Sequence, residues 1–173
     1  MRLEKASLNA PKGLQDFLAV LGEGKNGFSG TPVHNGKATL QEYLKSCCDM
    51  TDESKLASGL VPQTIFWLLD STDKVVGMAR VRHRLTERTR INGGHIGFFV
   101  HPSHRRKGYG KQLLALSLAE LRTMGETEAL ITVYPENEPS IRIVEANGGQ
   151  YCDTVFDSRT EHQINRYWVR LKP

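Results

Sequence analysis

The stretch HPSHRRKGYGKQLL, His101 to Leu114, sets three basic residues against two glycines just ahead of a leucine-rich segment. A helix start leaves backbone N–H groups unpaired and carries partial positive charge, so an anion is stabilised there. Glycines at 108 and 110 would let a phosphate approach those groups, and Arg105, Arg106 and Lys107 would add charge. The same residues also fit a solvated basic turn that holds no ligand. Two phosphate-binding designs fail on spacing. Gly108-Tyr109-Gly110-Lys111 lacks the four-residue spacer of a Walker loop, and a dinucleotide fingerprint would need glycine where Leu113 stands.

Other side chains able to do chemistry are few. His95, in GGHIGFFV, could act as a base near neutral pH or make a structural hydrogen bond within a strand. His83 is a second candidate base. Alternation in ARVRHRL puts Val81, His83 and Leu85 on one face and Arg80, Arg82 and Arg84 on the other, a row that reads as a solvated face or as a selector of carboxylate-bearing ligands. Cys47, Cys48 and Cys152 form no CxxC pair, so neither a disulfide framework nor a zinc site is expected, and no metal is assigned.

The elements that must position these residues are legible in outline. Amphipathic helices are expected near Gly13–Leu21 and Ala38–Cys48, with a long glycine-rich loop, Gly22–Lys37, between them. Thr64–Asp70 and Lys74–Leu85 read as a β-hairpin, TERTRINGG as a turn region, and His95–Pro102 as a central strand. After the basic loop, leucines at helical spacing run to Gly125. Ala129–Pro135 is a strand, ENEPSIRIVEANGG a short helix, and YCDTVF and INRYWVRL are two closing strands. Hairpins followed by a strand–helix–strand–helix–strand unit predict a mixed α/β fold with helices packed on the sheet.

With 173 residues, one domain spanning 1–173 is expected. No apolar run nears the roughly 18 residues of a membrane helix, and MRLEKASLNAPKGLQD lacks a signal-peptide core, so a cytoplasmic protein is expected. The net charge of +4 suits a phosphate-bearing ligand as well as nucleic acid, and no nucleic-acid module is recognisable.

Arg105-x-x-Gly108-x-Gly110, preceded by FFVHP and followed by the leucine-rich helix, resembles the acetyl-CoA motif of the GNAT superfamily of N-acetyltransferases. Asn137-Glu138-Pro139-Ser140 is similar to that superfamily's second cofactor segment, and RHRL, GGHIGFFV and NRYWVRL resemble a branch of bacterial acetyltransferases. The resemblance runs from Pro62 onward, with residues 1–60 as the helical region that shapes the acceptor pocket. It implies a mostly antiparallel sheet of about seven strands whose central strands, His95–His101 and Ala129–Tyr134, splay apart around the pantetheine arm. It further implies that backbone groups of Phe99 and Val100 bond that arm, that the N–H groups of Arg105, Arg106, Lys107, Gly108, Tyr109, Gly110 and Lys111 hold the pyrophosphate, and that Asn137 and Ser140 lie nearer the thioester.

The implied reaction is direct attack of a primary amine on the acetyl-CoA thioester, with a backbone N–H, that of Val100, stabilising the oxyanion and His95 or His83 as base. The family's proton-donating tyrosine aligns with Val144, which leaves Tyr134, Ser140, Tyr151 and Cys152 as nearby donors, or none. A non-catalytic acyl-CoA-binding module is the alternative. The acceptor would be a small-molecule or peptide amine, and a homodimer is common in the superfamily.

Overall fold

The computed structural model describes residues 1–171. Two strands carry its core. β4 (Gln63–Leu69) and β5 (Val75–Arg82) form the expected hairpin and are buried on both faces. Side-chain alternation divides β4: Phe66 and Leu68 enter one hydrophobic cluster, Ile65, Trp67 and Leu69 the other. α1 (Leu14–Leu21) and α2 (Leu40–Asp49) cover the second cluster with Leu14, Phe17, Leu18, Tyr43 and Leu44. The long helix α4 (Tyr109–Thr123) covers the first with Leu113, Leu114, Leu118 and Leu121. It comes close because the sheet offers Gly77, where a methyl group would sit 3.0 Å from Leu113.

The main strands form two antiparallel sheets, seven strands in all among the described residues. One has the order β1-β4-β5-β6, with β1 at Arg2–Lys5 and β6 at Ile96–Val100. The other has the order β7-β9-β8, where β7 is Glu128–Val133, β8 is Gln150–Asp157 and β9 is His162–Arg170. α5 (Glu138–Glu145) follows β7 and packs beside α4. This is the expected mixed α/β architecture.

Three elements depart from the sequence reading. The N-terminal region opens with a strand, β1, paired to β4 from Arg2↔Leu69 to Lys5↔Phe66. A four-residue edge strand with two charged ends has too little alternation to announce itself. The glycine-rich stretch contains a tight hairpin, β2 (Gly24–Lys25) and β3 (Phe28–Ser29), turned at Asn26 and Gly27, whose φ angles are +50° and +81°. Asn-Gly is the dipeptide such a turn favours, and that signal was available. The turn region before β6 holds a helix, α3 (Glu87–Ile91), started by a capping box between Thr86 and Thr89.

Candidate functional site

β6 and β7 run side by side at one point and then part. The backbone N–H of His95 donates to the carbonyl of Leu130 at 2.7 Å, and the N–H of Leu130 donates to Nδ1 of His95 at 2.9 Å. Beyond this pair the two sheets diverge around a cleft of about 550 Å³, lined by Ile96–Val100 on one side and Ile131–Tyr134 on the other. Gly94 makes the close approach possible: its φ is +54°, and a methyl group there would lie 2.4 Å from the Leu130 carbonyl oxygen.

Which backbone groups face the cleft follows from register. The N–H of Arg82 bonds the carbonyl of His95 and that of His101 bonds the carbonyl of Val76. Bonded pairs alternate along an antiparallel ladder, so Gly97 and Phe99 also turn their backbone groups to β5. Phe98 and Val100 turn theirs to the cleft. The expectation for Phe99 is therefore corrected. Its backbone is committed to the sheet, and Phe98 takes its place beside Val100. The Phe99 ring does line the cleft, with Arg105 over its face at 5.4 Å.

The basic loop joins the end of β6 to α4. Arg105 Nε donates to the Val100 carbonyl at 3.1 Å, and Arg106 takes a left-handed φ of +58°. Both line the cleft, as does Gly110, whereas Lys107, Gly108, Tyr109 and Lys111 do not; Tyr109 stacks on His104 at 5.9 Å instead. Gly108 is the N-cap of α4, with φ +80° and no side-chain cap, and a methyl group there would meet nothing within 4 Å. The start of α4 thus carries no side-chain cap and has open space beside Gly108, as an anion cradle requires. Gly110 has a different reason. A methyl group at this position would sit 2.6 Å from Cδ1 of Ile143, so glycine here lets α4 pack on α5 without moving that side chain.

Neither candidate base lines the cleft. His95 is 3% exposed, and its Nδ1 lone pair is used by Leu130. Burial, with Arg90 and Arg82 nearby, pushes its pKa from 6.5 down to about 4. His83 Nε2 lies 2.8 Å from the Thr64 hydroxyl, at the far end of β5. His95 thus has the geometry of a pin between sheets. A folded-state pKa below the unfolded one makes its contribution complete above pH 6.5 and lost as pH falls towards 4. We expect stability to drop by up to about 3 kcal/mol across that window through this group. Urea midpoints of the wild type and His95→Gln at pH 7 and 5 check it: the variant should lose this part of the pH dependence.

Arg80 and Arg82 are not the solvated row that alternation allowed. Arg80 donates to the Ser29 hydroxyl at 2.7 Å and to the carbonyls of Ser29 and Gly30 at 2.8 and 3.2 Å, while lying over the Phe28 ring. Arg82 donates to the carbonyls of Gly93 and Gly94 at 2.9 and 3.1 Å. Only Arg84 points outward, paired with Glu53.

Asn137 and Ser140 line the cleft at the start of α5, with Pro139 and Ile143. Val144 is fully buried in the core; the side chain α5 turns to the cleft in that turn is Ile143, which also has no proton to give. Of the other donors near in sequence, Tyr134 lines the cleft, whereas Tyr151 and Cys152 stand exposed on β8. Tyr134 is stacked on His162 at 4.8 Å, and a methyl group at Gly27 would come within 3.5 Å of its hydroxyl. The hairpin tip, Lys25 to Phe28, completes the wall and was missed as a site element. Among the described residues no group of three or more His, Cys, Asp or Glu is placed to hold a metal ion, and no helix is long and apolar enough to cross a membrane.

No functionally curated protein matches the sequence. Solved structures share the fold at low identity. A GNAT-family acetyltransferase from Streptococcus pneumoniae superposes with a TM-score of 0.68 at 11% identity, covering 99% of both chains. A point mutant of spermidine N-acetyltransferase SpeG from Vibrio cholerae gives 0.65 at 14%, covering 99% of this chain and 95% of that one. YncA of Salmonella typhimurium, solved with its cofactor acetyl-CoA, gives 0.51 at 19%, over 64% of this chain and 65% of that one, just under two thirds of its length. Residues 37–148 match the Acetyltransferase (GNAT) family. That span takes in the parted strands, the glycine-headed helix and the Asn137 segment, and the chain belongs to the GNAT family of acetyltransferases.

Proposed function

We propose that the protein is an acetyl-CoA-dependent N-acetyltransferase that transfers the acetyl group directly to a primary amine. The observation that carries this reading is the cleft itself: a gap between β6 and β7 that ends at the uncapped, open start of α4. Acetyl-CoA is a substrate here, and the residues present fit it. The N–H groups opening α4, with Arg105 and Arg106, suit a pyrophosphate. The backbone groups of Phe98 and Val100 suit the amides of an extended arm, which would lie in the gap as a strand lies beside a sheet edge. Asn137 and Ser140 border the same path.

Chemistry at the thioester asks three things of the chain. Negative charge developing on the carbonyl oxygen needs a donor, and the Val100 N–H, turned to the cleft, supplies one. The attacking ammonium must lose a proton. With His95 and His83 outside the cleft, water or Glu136, the carboxylate among the lining residues, takes it. The departing thiolate is served by Tyr134, the phenol in the cleft, which the hairpin tip and the His162 ring hold in place. Tyr134→Phe should lower kcat about 10- to 100-fold and leave acetyl-CoA affinity unchanged. Steady-state rates beside calorimetric titration separate the two quantities.

Titration of the purified protein with acetyl-CoA, followed by thiol release in the presence of amines, tests the reading. Micromolar binding and amine-dependent thiol release are expected. Binding without release from any amine would leave an acyl-CoA-binding module, and no binding would remove the cofactor assignment.

A further inference from the structure

The gap in the sheet opens on two faces, and their chemistry differs. α4 lies on the face of Val100 and Ala79, where Leu113 packs, while Arg105 of the basic loop reaches over the Phe99 ring. The β2–β3 hairpin lies on the opposite face: Phe28 stacks on Phe99 at 6.1 Å, and a methyl group at Gly97 would come within 3.2 Å of the Phe28 ring. A donor seated at α4 therefore leaves the hairpin face for the acceptor.

Building on the N-acetyltransferase reading, we propose that the acceptor is an amine that carries an anionic group, and that Lys25, backed by Arg80 and Arg82, recognises that anion. Lys25 is directly opposite Phe28 in the hairpin, so both side chains leave it on the same face, and both line the cleft. Among the described residues Lys25 has no ion-pair partner. Outside the lining of the cleft, Arg80 lies over the neighbouring Phe28 ring and Arg82 holds the carbonyls of Gly93 and Gly94; the N–H donors of both are met by carbonyls and the Ser29 hydroxyl, and by no carboxylate among the described residues. Hydrogen bonds satisfy those donors but leave the net charge in place, and a buried charge without a counter-charge is costly. Burial lowers the pKa of both arginines, which is the sign of that cost.

Among the described residues no carboxylate forms an ion pair with Lys25, Arg80 or Arg82, with Glu23 exposed two residues before Lys25. Glu53 is held by Arg84, Glu126 faces His95, and Glu136 lines the cleft from the β7–α5 connection, beside Asn137. An acceptor anion would supply the missing charge. The same cations disfavour an ammonium, so a bound amine loses its proton more easily in a cleft that no histidine lines. A polycationic acceptor would meet repulsion at the hairpin face.

Matched acceptor pairs test this. Acetylation rates are compared for amino acids against their amides and for phosphoethanolamine against ethanolamine, with spermidine as the cationic probe, in wild type, Lys25→Ala and Lys25→Glu. The two pairs distinguish a carboxylate from a phosphate as the recognised group. We expect kcat/KM to favour the anionic member of at least one pair by about 10-fold or more, to lose most of that preference in Lys25→Ala, and to invert it in Lys25→Glu, with acetyl-CoA affinity constant throughout. A protein that binds acetyl-CoA but acetylates no anionic member, or favours spermidine, overturns the proposal alone. So does an unchanged preference in Lys25→Glu. A wild type that fails to bind acetyl-CoA overturns the N-acetyltransferase reading, and this one with it.

Discussion

A Gly108→Glu protein will bind acetyl-CoA at least about 100-fold more weakly than wild type, a loss of about 2.7 kcal/mol or more. Two costs combine. The φ of +80° is one that a side chain other than glycine resists, by roughly 1–2 kcal/mol, and relaxing it would turn away the N–H groups that open α4. A carboxylate would also stand where a pyrophosphate is to bind, adding like-charge repulsion in place of attraction. Nothing within 4 Å of the added Cβ would clash, so the fold should survive and calorimetry should read binding alone. Gly108→Ala serves as the partner measurement, since it keeps the strain and removes the charge. Equal affinity in all three proteins would refute the cradle.

Gly94→Ala should destabilise the molecule by about 2–4 kcal/mol. The methyl would lie 2.4 Å from a backbone oxygen, that of Leu130, and a backbone cannot step aside as a side chain can. The strands must separate at the one place where they meet, and the His95–Leu130 hydrogen bonds go with them. Gly36→Ala isolates the backbone share of this cost. Its φ is +70°, but a methyl there meets nothing within 4 Å, so about 1 kcal/mol is expected. Denaturant midpoints of the two variants give the difference. If they are equal, the junction at residue 94 is looser than its geometry.

The sequence disclosed the second half of the site better than the first, for physical reasons. β6, α4, β7 and α5 are each fixed by a local signal: an apolar run, leucines at helical spacing, a proline near one helix start and a glycine past its end. The facing direction of the β6 backbone was not legible. Whether Phe98 or Phe99 offers its amide to the cleft depends on the hydrogen-bond phase with β5, which no property of β6 alone encodes. The burial of Arg80 and Arg82 on β5 was hidden for a similar reason. Alternation says that Arg80 and Arg82 share a face, but only the fold reveals that a hairpin about fifty residues earlier lies across it. The role of Gly110 was legible in type and hidden in cause, since its partner, Ile143, belongs to another helix.

The divided sheet also orders the chain in time. Every ladder of the first sheet is drawn from residues 2–100, and every ladder of the second from 128–170. Among the described residues no strand is exchanged between them. A growing polypeptide that has released β6 already holds all four strands of the first half, together with the two helices that cover one of its faces, before the second half exists. What is a passage for a ligand in the finished protein is, during synthesis, the seam between a part that can pair its strands early and a part that must wait.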